Sequence, residues 1–250
     1  HGRDRRQRQM CIRDSTRAIH AGAAPDPTTG ARTTPIYQTT SYVFDDVDHA
    51  ARLFGLQEFG NIYSRIMNPT QAVLEDRIAS LEGGTAALAT ASGHGAQLLI
   101  FHTLMQPGDH FIASRQLYGG SINQFGHAFK KFDWHVDWVE MSNPDNVKAA
   151  ITPKTRAIFM ESIANPGGVI QDIAAVAAIA KEAGLPLIVD NTMASPYLCR
   201  PIEHGADIVC HSLTKFIGGH GNSVGGVIVD AGTFDWSASG NYPTLGEPND

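Results

Sequence analysis

Seven short apolar runs, at 85–90, 110–114, 135–140, 156–161, 186–190, 206–210 and 225–229, organise this sequence, and stretches of helical period lie between most of them. A strand buried on both faces reads as a short continuous apolar run, whereas a half-exposed strand alternates. Strands of this kind alternating with helices imply a mostly parallel sheet with helices on both faces. The expected fold class is therefore α/β, with a mostly parallel seven-stranded sheet flanked by helices. The connection from 211 to 224 is short and rich in glycine, which favours an antiparallel last strand.

The helices carry their own punctuation. Asn68-Pro69 reads as a cap followed by proline in the first turn; Val73, Leu74, Ile78 and Leu81 then mark one face, and Gly83-Gly84 is the stop. The clearest helical segment is DIAAVAAIAKEAG, beginning at Asp172, with an aspartate cap and a terminal glycine. Two stretches stand outside the pattern. Residues 1–15, HGRDRRQRQMCIRDS, hold five arginines and two aspartates without helical or strand period, and lack the amphipathic spacing of a transit peptide. They read as a tail apart from the fold. The segment from Ala23 to Tyr63 is rich in Pro, Thr and Gly and reads as an extended arm that must lie on something else, such as another subunit.

Composition narrows the function. A net charge of −6 argues against a nucleic-acid surface, which needs a basic excess. No apolar run approaches the roughly 18 residues that span a bilayer, so no membrane partner is expected. The three cysteines, Cys11, Cys199 and Cys210, form no CxxC pair and suit a reducing, cytoplasmic compartment.

In doubly wound sheets ligands bind at the carboxyl ends of strands, so the loops that follow each apolar run are the informative ones. After 85–90 comes Ala91-Ser92-Gly93-His94-Gly95-Ala96, small residues opening a helix. The backbone amides of such a helix start attract an anion, most often phosphate. Close helix–sheet packing explains the same residues, and neither GxxxxGK[ST] nor GxGxxG is present. After 186–190 comes Asp190-Asn191-Thr192, an acid at the end of a buried run that needs a cationic or hydrogen-bonding partner unless it is only a cap or turn. After 206–210 comes His211-Ser212-Leu213-Thr214-Lys215, then Gly218-Gly219-His220-Gly221. Of the six lysines, 130, 131, 148, 154 and 181 fall in surface helices or polar loops. Lys215 alone follows a strand end, among hydroxyls and glycines, which makes it a candidate for Schiff-base chemistry. An anion cup, a carboxylate and an amine together match what pyridoxal 5′-phosphate requires for its phosphate, ring nitrogen and aldehyde.

These residues bring out a resemblance. Tyr63-Ser-Arg65 with Asn68-Pro-Thr70, Ser92-Gly93, Leu117-Tyr118-Gly-Gly120, Asn165-Pro166, Val189-Asp-Asn-Thr192 and Ser212-Leu-Thr-Lys215 resemble the pyridoxal-phosphate family of cysteine and methionine metabolism. SGHGAQ at 92–97, SRQLYGGSINQFGHAFKKFDW at 114–134, ESIANPGG at 161–168 and HSLTKFIGGHGNSVGG at 211–226 are most similar to its O-acetylhomoserine sulfhydrylase branch. The resemblance runs from about residue 16 to the end. It implies the large domain of an aspartate aminotransferase-like transferase over 66–250, preceded by an arm over 16–65 that contacts a neighbouring subunit of a homotetramer built as a dimer of dimers.

The resemblance also implies roles. Lys215 is the Schiff-base lysine, and Asp190 holds the proton on the ring nitrogen. Tyr118 stacks on the ring, with a further acid/base role near the leaving group, and Asn165 lies near the phenolic oxygen. Ser92, Gly93, His94, Ser212 and Thr214 hold the phosphate within the subunit, while Tyr63 and Arg65 reach the phosphate of the neighbouring one. No metal is implied. The activity implied is γ-replacement, in which O-acetylhomoserine and sulfide or methanethiol give homocysteine or methionine plus acetate. Methionine γ-lyase, cystathionine γ-synthase and O-succinylhomoserine sulfhydrylase are alternatives within the family. A nicotinamide oxidoreductase and an inactive fragment serving as an assembly surface lie outside it. The sequence ends at Asp250, before the smaller C-terminal domain that in this family supplies the arginine for the substrate carboxylate, so no residue here is assigned that role.

Overall fold

The computed structural model describes residues 14–246. They fall into two compact units, one up to Ser80 and one from Leu81. Residues 1–13 lie outside the described residues, and with them most of the tail read from the sequence; Asp14 and Ser15 open the first helix.

The N-terminal unit contains α1 (Asp14–His20), α2 (Val47–Phe54) and most of α3 (Pro69–Glu82). At the start of α3, Asn68 Oδ1 accepts the Thr70 backbone N–H at 2.9 Å, which is the cap expected from the sequence. The extended-arm reading needs one correction. Within 23–63 the chain forms the eight-residue helix α2, capped by Asp46, whose carboxylate accepts the His49 backbone N–H at 2.7 Å. Val47, Ala50, Ala51 and Phe54 stand at helical spacing, but the helix is only two turns long and lies inside a Pro-, Thr- and Gly-rich stretch that reads as extended. The rest of the arm is mostly irregular, tied by local bonds such as Tyr37 Oη donating to Asp26 Oδ2 at 2.8 Å.

The C-terminal unit is built on one seven-stranded sheet. The strands are β1 (Ala86–Thr90), β2 (His110–Ser114), β3 (His135–Val139), β4 (Thr155–Glu161), β5 (Leu187–Asp190), β6 (Ile208–Ser212) and β7 (Gly226–Asp230), in the order β1-β7-β6-β5-β4-β2-β3. Each falls on one of the apolar runs. Pairings from β6 through β5, β4 and β2 to β3 are parallel, and β7 runs antiparallel to both β1 and β6, as the short 211–224 connection favoured. Every residue of β2 and β5 is buried, whereas the edge strand β3 alternates. That difference is why the central strands read as continuous apolar runs.

Between the strands lie α4 (Gly93–Leu104), α5 (Gly119–Asn123), α6 (Pro144–Ala150) and α7 (Ile173–Glu182). The last is the DIAAV helix: Asp172 accepts the Ala175 N–H at 3.0 Å, and Gly184 turns the chain away at φ +65°. α4 buries Ala96, Ile100, Phe101 and Leu104 on one stripe. Phe101 meets Phe111 of β2 with ring centroids 4.2 Å apart, and Phe125 meets Phe159 of β4 edge-to-face at 5.0 Å. Such ring pairs each contribute roughly 0.5–1.5 kcal/mol beyond area burial. The Phe101–Phe111 pair locks α4 onto the sheet, which fixes the start of α4 relative to the strand ends.

Candidate active site

The carboxyl ends of β4, β5 and β6, the start of α4 and the loop before α5 enclose a cavity of about 540 Å³ in the C-terminal unit. Pockets of this size suit a small cofactor with part of a substrate. Ser92, Gly93 and His94 at the start of α4, Tyr118, Asn165, Asp190, Ser212 at the end of β6, and Thr214 and Lys215 after it all line it. Nine of the eleven site residues expected from the sequence thus converge on one space.

Each is placed by identifiable local chemistry. Ser92 is the N-cap of α4, its Oγ accepting the Gly95 N–H at 3.0 Å. Gly93 has no room for a side chain, because a Cβ there would come within 2.8 Å of Ser212 Cβ. The small residues of this turn thus allow close packing, which sets the start of α4 beside Ser212. The Tyr118 ring is half-exposed and stacks against the His94 imidazole, centroids 5.8 Å apart. Lys215 is exposed to the cavity, and no carboxylate pairs with it among the described residues, whereas Lys148 is held by Glu182 at 3.1 Å.

Asp190 ends β5 and is 9% exposed. Its Oδ1 accepts the Thr192 backbone N–H at 3.0 Å and the Thr192 hydroxyl at 2.5 Å. Its Oδ2 accepts Gln97 Nε2 at 3.1 Å, and that amide is held in turn by the Ser121 hydroxyl at 3.0 Å. The flanking residues Asn191 and His211 are fully buried and share one acceptor. Asn191 Nδ2 lies 2.9 Å and His211 Nε2 2.6 Å from Glu82 Oε1. This buried network pins the backbone on either side of the cavity floor.

Among the lining residues not singled out from the sequence, Gln97 and Glu161 carry polar groups that touch the expected site. Glu161 ends β4 directly beside Asp190 in the parallel register and is 4% exposed. Burial, with Asp190 as a smaller contribution, pushes its pKa from 4.5 up to about 7 even though two backbone N–H groups stabilise the charge. Both lie inside stretches whose resemblance was noted, SGHGAQ and ESIANPGG. The signal that could have found Glu161 is the one applied to Asp190, an acid closing a buried apolar run.

Tyr63 and Arg65 belong to the N-terminal unit. Tyr63 bridges to Ser41, and Arg65 sits in the turn closed by the Ile66 N–H bonding Tyr63 O at 2.8 Å. The expectation of an extended segment here is corrected to a turn. The two side chains still come together, with the Arg65 guanidinium carbon 5.2 Å from the centre of the Tyr63 ring.

The sheet and the cavity at its carboxyl edge define the class first, an α/β enzyme scaffold with an amine, a carboxylate and an anion cradle in one pocket. A sequence profile described as "Cys/Met metabolism PLP-dependent enzyme" matches residues 15–245. The chain belongs to that family. It is 55% identical over 238 residues to the O-acetyl-L-homoserine sulfhydrylase of Leptospira meyeri, covering 95% of this chain and 54% of the relative. To the O-acetyl-L-homoserine sulfhydrylase 1 of Thermus thermophilus it is 53% identical over 239 residues, covering 95% and 56%. A crystal structure from Campylobacter jejuni, named as an O-acetylhomoserine (thiol)-lyase, superposes with a TM-score of 0.89 at 36% identity over 92% of this chain and 57% of that one. It contains N′-pyridoxyl-lysine-5′-monophosphate at one chain position. The chain spans about half the length of the curated relatives it matches.

The residues present fit pyridoxal phosphate. The start of α4 with Ser212 offers donors to a phosphate, Asp190 keeps acceptor capacity on Oδ2 for a ring N–H, and Lys215 offers an unpaired amine. No helix among the described residues is long and apolar enough to cross a membrane.

Proposed function

We propose that this cavity performs γ-replacement on O-acetylhomoserine, exchanging acetate for sulfide or methanethiol to give homocysteine or methionine. The convergence of Lys215, Asp190 and the start of α4 on one cavity carries the reading, and the names of the relatives at 53–55% identity point to the substrate. When bound, pyridoxal phosphate supplies an aldehyde that condenses with amines and a ring that accepts electron density from the neighbouring carbon. Lys215 is the amine that joins the cofactor and then removes the Cα proton of the amino acid. Asp190, held by Thr192 and Gln97, keeps the proton on the ring nitrogen. The amides of Gly93 and His94 with the hydroxyls of Ser92, Ser212 and Thr214 hold the phosphate. Asn165 faces the phenolic oxygen, and Tyr118 covers the ring and exchanges a proton near the departing acetate. For the net exchange of acetate for sulfur at Cγ, Lys215 would take up the protons lost from Cα and Cβ, Tyr118 would protonate the departing acetate or take the proton of the incoming sulfur, and Lys215 would return protons to Cβ and Cα.

The test is turnover of the cofactor-loaded enzyme with O-acetylhomoserine and sulfide, followed by thiol release. Homocysteine formation with acetate is the expected result. Cystathionine cleavage or methionine breakdown without homocysteine synthesis would shift the assignment within the family. The free thiols Cys199 and Cys210 fit a cytoplasmic setting.

The same reading makes the site shared between copies in a homotetramer, with Tyr63 and Arg65 serving the neighbour's phosphate. The arm exposes Ile36, Val43, Val47 and Phe59 almost completely, which suits burial against a second copy. Mixing inactive Lys215→Ala subunits with inactive Arg65→Ala subunits is expected to restore activity, because each heterodimer then holds an intact site with Lys215 from one chain and Arg65 from the other. Mixing that restores nothing would assign Arg65 to its own subunit.

A further inference from the structure

Glu161 has no part in the chemistry above, yet the structure gives it a demanding position. Its two carboxylate oxygens each take one backbone N–H from a different loop. Oε1 accepts from Tyr118, 43 residues away, at 2.7 Å, and Oε2 accepts from Asn165 at 2.9 Å. Tyr118 and Asn165 are also the two residues that the functional reading sets against the ring and its phenolic oxygen. A carboxylate offers two acceptor oxygens at fixed spacing, whereas an amide offers one acceptor and one donor. The position is unfavourable for a charge, since Glu161 is nearly fully buried and adjoins the carboxylate of Asp190. A site that tolerates this needs both acceptors.

We propose that Glu161 is a positioning residue whose carboxylate ties the Tyr118 and Asn165 loops together and so sets the width of the cofactor slot. This rests on the cofactor reading of the cavity. It has a consequence for protons. The groups facing Glu161 are the Asp190 carboxylate from β5, the Cys210 thiol of β6 beyond it, the Tyr118 phenol, and the Lys215 amine and His94 imidazole across the cavity. Of these, Asp190 raises the pKa of Glu161, adding to burial. A protonated ring nitrogen at Asp190 offsets that negative charge, so cofactor binding favours the ionised form of Glu161 and releases a proton. Protonating Glu161 also turns one acceptor into a donor facing an N–H. Both effects make affinity rise with pH through about 7, where Glu161 titrates.

The experiment titrates cofactor-free enzyme with pyridoxal phosphate from pH 5.5 to 8.5, in wild type and Glu161→Gln. It follows the visible band and its circular dichroism, which reports ring orientation. Glu161→Gln is expected to bind about tenfold more weakly or worse, with an altered dichroic band and without the wild-type inflection near pH 7. Calorimetry of the wild type and of Lys215→Ala in buffers of different ionisation heat is expected to show proton release near neutrality in both, the Lys215→Ala release excluding the proton the amine gives up, a reading that stands even if Glu161→Gln does not fold. Wild-type affinity, dichroism and pH profile in Glu161→Gln would overturn the proposal, as would absence of proton release in the wild type or in Lys215→Ala. If the wild type itself forms no visible band, the cofactor reading fails and this inference falls with it.

Discussion

Replacing Lys215 with alanine is expected to abolish the visible band of the bound cofactor and all measurable turnover. Lys215 is the only one of the six lysines that lines the cavity. Lys130, Lys131, Lys148, Lys154 and Lys181 are exposed on other elements. Loss of proton transfer alone accounts for roughly 10²–10⁴-fold, and loss of the covalent link to the cofactor adds to it. The variant should remain folded. Lys215 is exposed and in no ion pair among the described residues, so its removal changes stability by no more than about 0.5 kcal/mol. Cofactor still binds through its phosphate, more weakly. Borohydride reduction of the wild type followed by peptide mapping is expected to place the label on the peptide containing Lys215. Label on Lys154 or Lys181 would remove Lys215 from its role.

The sheet was legible because of where the strands lie. β2 and β5 are buried along their whole length, and β4 at all but one residue. A strand enclosed on both faces keeps its interior apolar, and the polar residues of these strands, such as Ser114, Glu161 and Asp190, stand at their ends. The direction of β7 followed from the length of one connection. α2 escaped because it is only two turns long within a Pro-, Thr- and Gly-rich stretch and buries only Leu53, although Val47, Ala50, Ala51 and Phe54 stand at helical spacing. Its second local marker is the Asp46 cap, which a turn would explain equally well. The turn at Tyr63 to Met67 escaped because the segment before it has no helical or strand period to set its backbone direction.

The site was legible to the extent that its chemistry is local. Lys215 and Asp190 follow strand ends and carry groups whose presence there calls for an explanation. Gln97, Glu161 and Glu82 act through partners 93, 43 and 129 residues away, and no window of sequence contains those pairs. The difference is physical. A reactive group announces itself by type and position, whereas a group that holds another in place is defined by the atom it touches. Glu161 lies between these cases, because its position was readable as an acid at a strand end while its two N–H partners were not.

Asp190→Asn is expected to keep the cofactor and lose most activity. The amide is nearly isosteric, and its oxygen can still accept from the Thr192 N–H and hydroxyl in place of Oδ1. Its NH₂ would then face the Gln97 NH₂, which now donates to Oδ2 at 3.1 Å. Relief requires Gln97 to turn its amide over, and the Ser121 hydroxyl, able to donate or accept, can follow that flip. The fold therefore survives. The loss is the negative charge, and with it the means of holding a proton on the ring nitrogen. A charge-assisted hydrogen bond of this kind contributes roughly 1.5–3 kcal/mol, or about 10–150-fold in rate if it is fully expressed when the Cα proton leaves. The measurement is exchange of the substrate Cα proton with deuterated solvent, which isolates that step from acetate departure and sulfur addition. The Asn variant should exchange slower by that factor while retaining a visible band, since Lys215 is untouched. Exchange at the wild-type rate would show that the ring needs no carboxylate at this position and would withdraw Asp190 from the chemistry.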